Sequence, residues 1–163
     1  MRSGPVLIGF DGTPAAERAL REAGELLAPR HALVVVVMEI GRVFAATVGP
    51  LMTASIPVTE TEIRTAMEYE KEALQAARRL AEKGAAMAQE AGFDAQGLVV
   101  ADDASVPATL LRLAEERDAP VLVLGAHRHS ALSELLMGST ARELLKRADR
   151  PVLVVREGEV KTD

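Results

Sequence analysis

Residues 121–145 read VLVLGAHRHSALSELLMGSTARELL, and this stretch decides the fold. An apolar strand over 121–124 meets Gly125, a loop follows, and Gly138-Ser139-Thr140 opens a helix. Strand, glycine loop and helix start are the parts from which α/β proteins make anion sites. The first N–H groups of a helix have no intrahelical acceptor, and the helix dipole adds partial positive charge there. Gly125 and Gly138 allow a close backbone approach or a positive φ. Thr140 and Glu143 fit a capping box that marks the helix start.

Working outward, the rest of the chain alternates in the same way. Residues 6–10 are a short apolar run ending in Asp11-Gly12-Thr13-Pro14, where Thr13 caps a helix over 14–28 and Pro14 suits its first position. Residues 33–38 (LVVVVM) are the purest strand: too short for a typical helix and rich in β-branched side chains. Residues 39–58 lose periodicity and collect Gly41, Gly49, Pro50 and Pro57, which predicts a long connection; the position of 41–58 just after the second strand raises the hypothesis that it folds over a ligand as a lid. Thr59 and Glu62 form a second capping box, opening a long amphipathic helix to residue 91 that Gly92 ends. Gly84 inside that helix is an unfavourable residue there. A third strand at 98–101, a loop at 102–107, a helix at 109–117, the 121–124 strand and a last strand at 152–155 complete the order β-α-β-α-β-α-β-α-β. That alternation implies a parallel sheet with right-handed crossovers.

Composition narrows the classes. The chain has 163 residues, one domain's worth, and is 48% hydrophobic with only 2% aromatic residues, so its core is aliphatic, as parallel strands covered by helices require. A net charge of −5 argues against a general nucleic-acid binder, which needs a basic face. The absence of cysteine excludes disulfides and thiolate chemistry and fits a reducing compartment. No run reaches the roughly 18–20 apolar residues that span a bilayer, so no membrane role is expected, and cytoplasmic localisation is the default.

The spacing from Gly125 is glycine, two residues, Arg128, nine residues, Gly138, Ser139. It resembles the nucleotide-binding motif of the universal stress protein family: glycine, two residues, glycine, nine residues, glycine, then serine or threonine. The first strand followed by Asp11-Gly12-Thr13 and the closing Pro151-Val152-Leu153-Val154-Val155 extend the resemblance over nearly the whole chain. It implies a Rossmann-like or flavodoxin-like α/β domain over residues 1–157, with 158–163 as a polar tail. The sheet is expected to be open, five-stranded and parallel, in the order 3-2-1-4-5, with helices on both faces. Strands 1 and 4 are then neighbours where the chain reverses direction, and ligands of open α/β sheets bind at that switch point. By position, Asp11 and Met38 would line the adenine and ribose end of a nucleotide. Gly125, His127 and Arg128 would run under the phosphates, and Gly138, Ser139 and Thr140 would donate to them.

Two positions depart from the family pattern. Ala141 replaces a serine or threonine common in ATP-binding members, which removes one hydroxyl. Arg128 occupies the second glycine position, where its side chain either blocks a phosphate or swings out to bind one bidentately. The resemblance implies ATP, with or without magnesium, or AMP or another adenine nucleotide as ligand. It also implies a homodimer through the last strand (Val152, Leu153, Val154 and Val155) and a stress-response or regulatory role. The alternative is a dimeric member of the universal stress protein A type that binds no nucleotide and acts through protein contacts.

Blander readings stand beside these. Asp11-Gly12 is a common turn, and Gly138-Ser139-Thr140 could be a cap alone. His127 and His129 lack a third ligand of matching spacing and read as solvated loop residues rather than a metal site. His31 and Asp102-Asp103 read as surface residues, and Met52, Met67, Met87 and Met137 as core or contact residues. An enzyme is not expected: no Gly-x-x-x-x-Gly-Lys-Ser/Thr loop, dinucleotide fingerprint or activated nucleophile is present, and slow ATP hydrolysis would lack an identifiable base. A response-regulator receiver is excluded because Asp11 stands alone after the first strand and Arg156, not lysine, follows the last.

Overall fold

Val6, Leu7 and Ile8 have no solvent exposure, because both faces of the strand that carries them are covered by helices. The computed structural model describes residues 2–39, 41–102, 104–126 and 138–156. Its strands are β1 (Val6–Gly9), β2 (His31–Met38), β3 (Asp94–Ala101), β4 (Leu122–Ala126) and β5 (Val152–Arg156). Its helices are α1 (Pro14–Leu27), α2 (Arg42–Thr53), α3 (Glu60–Glu90), α4 (Val106–Glu116) and α5 (Ser139–Arg147). The sheet is parallel throughout, as the β-α alternation implied, and its order is β3-β2-β1-β4-β5, as the family resemblance implied.

Alternate side chains of each strand feed two cores. Val6, Ile8, Phe10 and Val34 pack with α1 and α3 through Ala16, Ala19, Leu20, Ala77, Ala81 and Ala88. Leu7, Val35, Leu122 and Leu124 pack on the other face with α4 and α5 through Leu110, Leu113 and Leu144. No helix among the described residues is long and apolar enough to cross a membrane.

Three local expectations are corrected. The segment 39–58 is not a long connection: α2 forms within it, even with Pro50 inside the helix. Packing overrides propensity here, since Val48 is buried with α2 docked on α3, and Glu70 Oε1 accepts from the Gly41 N–H at 2.6 Å. β3 begins at Asp94, four residues before the apolar run, because an edge strand tolerates polar Gln96 and because Gly97 lets the Ala81 carbonyl lie against it. The helix after β3 begins at Val106, where Ser105 caps it by accepting from the Ala108 N–H.

Gly84 is not the liability its helix propensity implies. A Cβ there would stand 2.7 Å from Val34 Cγ1 and 2.8 Å from Phe10 Cδ1, so the missing side chain lets α3 settle on the sheet. Gly84→Ala is expected to lower stability by about 1–2 kcal/mol in urea denaturation, although helix propensity alone would raise it by about 1 kcal/mol.

At the amino edge, buried Arg150 donates from Nη1 to the carbonyls of Ala114 (2.6 Å) and Ala119 (3.0 Å), and from Nε to Asp149 Oδ1 (2.9 Å). That hydrogen bond, then the charges of Arg150 and Arg2, hold the Asp149 carboxyl below its usual 3.8 against a desolvation penalty. A depressed folded pKa contributes stability above the unfolded value and loses it as pH falls. Asp149→Asn is therefore expected to give a shallower loss of melting temperature below about pH 4 than the parent protein shows.

Candidate functional site

Two helix starts stand above the carboxyl ends of β1 and β4. At the first, Asp11 Oδ1 accepts from Thr13 N (3.0 Å) and from Thr13 Oγ1, and Thr13 Oγ1 in turn accepts from the Ala16 N–H at the head of α1. Gly12 between them has φ +77°, which an L side chain resists, so Asp-Gly-Thr is a turn that aims α1.

At the second, α5 starts at Ser139 with Gly138 as its N-cap and no side-chain cap bond. This corrects the Thr140–Glu143 capping box: Thr140 lies inside the first turn, and Glu143 pairs forward with Arg147 at 3.3 Å. Arg142 N makes the first intrahelical bond, to Gly138 O, which leaves the N–H groups of Ser139, Thr140 and Ala141 without a helical acceptor.

Between these starts lies a cleft of about 510 Å³. Asp11, Gly125, Gly138, Ser139 and Thr140 all line it. Met38 does not: its side chain packs against the α1–α3 core, and its carbonyl accepts from the Asp102 N–H at 2.9 Å. His127 and Arg128 lie outside the described residues, as do Asp103, His129, Met137 and the 158–163 tail. Among the described residues, none of the 41–58 segment lines the cleft. Asp102 Oδ1 accepts from Ala104 N and from Thr109 Oγ1, holding the turn into α4.

The sequence reading missed the apolar wall of the cleft. Val36 and Val37 of β2, Leu80 of α3, and Val106 and Leu110 of α4 all contribute to it. The available signal was helical phase: Val106 and Leu110 are four apart and therefore share a face at the head of α4. An apolar wall with a few polar groups is the usual make-up of a small-molecule site, and the volume falls in the range of about 300–1,000 Å³. Among the described residues, no group of three or more His, Asp or Glu is arranged to hold a metal ion.

The two glycines of the motif do different jobs. A Cβ at Gly125 would run into the Ala15 carbonyl and the Ala16 nitrogen, so that glycine admits α1 rather than a ligand. Gly138 has φ −51°, and among the described residues nothing lies within 4 Å of where its Cβ would stand. Gly125→Ala is expected to lower stability by about 2–3 kcal/mol, whereas Gly138→Ala shifts it by no more than about 0.5 kcal/mol, both read by urea denaturation.

The family model described as the universal stress protein family matches residues 3–156. Universal stress protein YxiE of Bacillus subtilis is 29% identical over 155 residues, covering 93% of this chain and 97% of that protein. Universal stress protein MJ0577 of Methanocaldococcus jannaschii is 28% identical over 69 residues, 42% of this chain and 41% of its own length. Over the whole fold the solved structure of MJ0577 superposes with a TM-score of 0.70 at 18% identity, covering 98% of this chain and 99% of that one. A universal stress protein from Archaeoglobus fulgidus in complex with dAMP has the same fold, with a TM-score of 0.58 at 20% identity over 95% of this chain and 99% of that one. With a match that runs almost from end to end, the chain belongs to the universal stress protein family.

Proposed function

We propose that the cleft binds an adenine nucleotide with a phosphate at the head of α5, and that the protein is a dimeric stress-response regulator whose bound state is its signal. The observation that carries this reading is the uncapped start of α5. Three N–H groups and the helix dipole face a cleft, among the described residues nothing crowds Gly138, and no side-chain hydrogen bond caps the helix. The dAMP complex of the Archaeoglobus fulgidus relative supports the ligand class. ATP, with or without magnesium, AMP and other adenine nucleotides all present the required phosphate. In this reading the nucleotide acts as a bound signal rather than as a substrate to be turned over.

For the dimer, among the described residues β5 ends the sheet and pairs only with β4, which offers its outer edge to a second copy. Val152, Leu153, Val154 and Val155 on it are only partly buried, and an apolar edge of that kind is protected by pairing.

The test is to purify the protein without added nucleotide, denature it and identify what is released by mass spectrometry. Near-stoichiometric adenine nucleotide is expected. Gly138→Asp is expected to reduce binding at least tenfold without lowering the melting temperature, because the new carboxylate caps α5 and competes with the phosphate. An empty protein that gives no calorimetric response to millimolar magnesium-ATP or AMP overturns the reading. It would assign the chain to the dimeric type that acts through protein contacts, with Arg128→Gly as the variant that asks whether Arg128 is the cause.

A further inference from the structure

Six of the eight large hydrophobic side chains exposed among the described residues sit on one element, the hairpin of α2 and α3. They are Phe44, Met52, Ile56, Ile63, Met67 and Tyr69, with Met52 and Met67 exposed at 66% and 62%. Residues 43–59 carry no charged side chain in a chain that is 26% charged. An exposed helix without a charged face is not a solvated helix.

The hairpin also reaches past the sheet at its α2 end. α3 has 31 residues and runs about 46 Å, while β3 beside it has 8 residues and runs about 26 Å. The carboxyl half of α3 lies on the sheet through Ala77, Ala81, Gly84, Ala85 and Ala88, whereas Ala66 in the amino half is covered with α2 docked alongside.

Helical phase gathers part of the patch on one side. Ile63 and Met67 are four apart on α3 and flank inward-facing Ala66, and Met52 follows inward-facing Val48 by four on α2. Since the two helices run antiparallel, these three side chains project on the same side, with Ile56 in the connecting turn. The charges bordering them on α3 alternate along the axis: Glu60, Arg64, Glu68, Lys71. Glu60 already pairs with Arg64 at 2.9 Å within the chain.

We propose that this face is an interface for a second copy of the chain, two hairpins packing antiparallel about a two-fold axis level with Thr65 and Ala66. That register sets Ile63 against Met67 of the second copy, Arg64 against its Glu68, and Glu60 against its Lys71. Each contact occurs twice, as a two-fold interface requires. The alternating charges select this occupant: a uniformly acidic or basic partner meets two unfavourable charges, and a copy of the same face meets none. Exposed Met52, Ile56, Ile63 and Met67 form the apolar centre of this interface, and the smallest specific interfaces bury roughly 1,200 Å² in all. The arrangement is a four-helix packing of two hairpins, apart from the β5 edge and independent of any ligand in the cleft.

The chain has no cysteine, so Met67→Cys introduces a unique thiol. A short bis-maleimide is expected to convert that variant to a covalent dimer, and Glu116→Cys, an exposed site elsewhere, is expected to stay uncoupled. Sedimentation of the full chain is expected to show Ile63→Glu and Met67→Glu halving the assembled mass at unchanged melting temperature. Arg64→Glu and Glu68→Arg are each expected to weaken assembly at least tenfold, and the double swap to restore it. Uncoupled Met67→Cys with a mass unaffected by Met67→Glu overturns the proposal, whatever happens at β5. So does a monomer whose Met67→Glu variant loses binding to phosphatidylcholine vesicles, which gives the patch to a lipid surface.

Discussion

Glycines let α1 and α3 come unusually close to this sheet and to each other, and the rest of the structure follows from that close approach. Gly125 receives the first turn of α1, Gly97 receives the Ala81 carbonyl, Gly84 lies on Phe10 and Val34, and Gly24 meets Ala91. Aromatic side chains would hold the layers further apart, and only 2% of the residues are aromatic. Tight layers fix the heads of α1 and α5 relative to the strand ends with little freedom to adjust. The cleft is the space that this packing leaves at the switch point between β1 and β4.

That constraint separates what the sequence disclosed from what it hid. The strands of the sheet's middle were legible, because a strand buried on both faces must read as an aliphatic run, and residues 33–38 do. The first half of β3 was not, since on an edge strand Asp94 and Gln96 face solvent and only Ala95 points into the core. α2 was hidden for the opposite reason. Gly49 and Pro50 argue locally for a loop, and the helix exists through its contact with α3, a tertiary fact with no local signature. The Thr59–Glu62 box was read directly, because both halves of it are local: Thr59 N donates to Glu62 Oε2 at 2.7 Å, and Glu62 N to Thr59 Oγ1 at 3.3 Å.

The site was legible as a place more than as a set of contacts. The order 3-2-1-4-5 brings Asp11 and Gly138 to one cleft, although 126 positions separate them in the numbering. The motif's spacing does not say which of its residues serve the fold. Gly125 is committed to α1, and Asp11 Oδ1 to the Thr13 turn, so both shape the cleft whatever enters it. Gly138 is different, because neither its φ nor any described neighbour demands a glycine. An unforced glycine before an uncapped helix is where the chain forgoes its own cap. The roughly 1 kcal/mol that a serine or aspartate would add there is given up, which is intelligible if an outside anion fills that role.

Leu80 links this cleft to the far end of α3. It lies against Gly12 beside Asp11, while Glu70, ten residues earlier on the same helix, holds the start of α2. One rigid helix therefore touches both the cleft and the hairpin, which invites the idea that each reports on the other. Coupling between two sites requires an element with two arrangements whose balance both sites shift. α3 is poorly suited to that, since Ala77, Ala81, Gly84 and Ala88 let it lie close against the sheet. A shift of even one residue would drive a Cβ into the place Gly84 leaves for Phe10. The same packing that builds the cleft thus ties the hairpin to the sheet, so close contact along α3 argues against its serving as the two-state element that coupling would need.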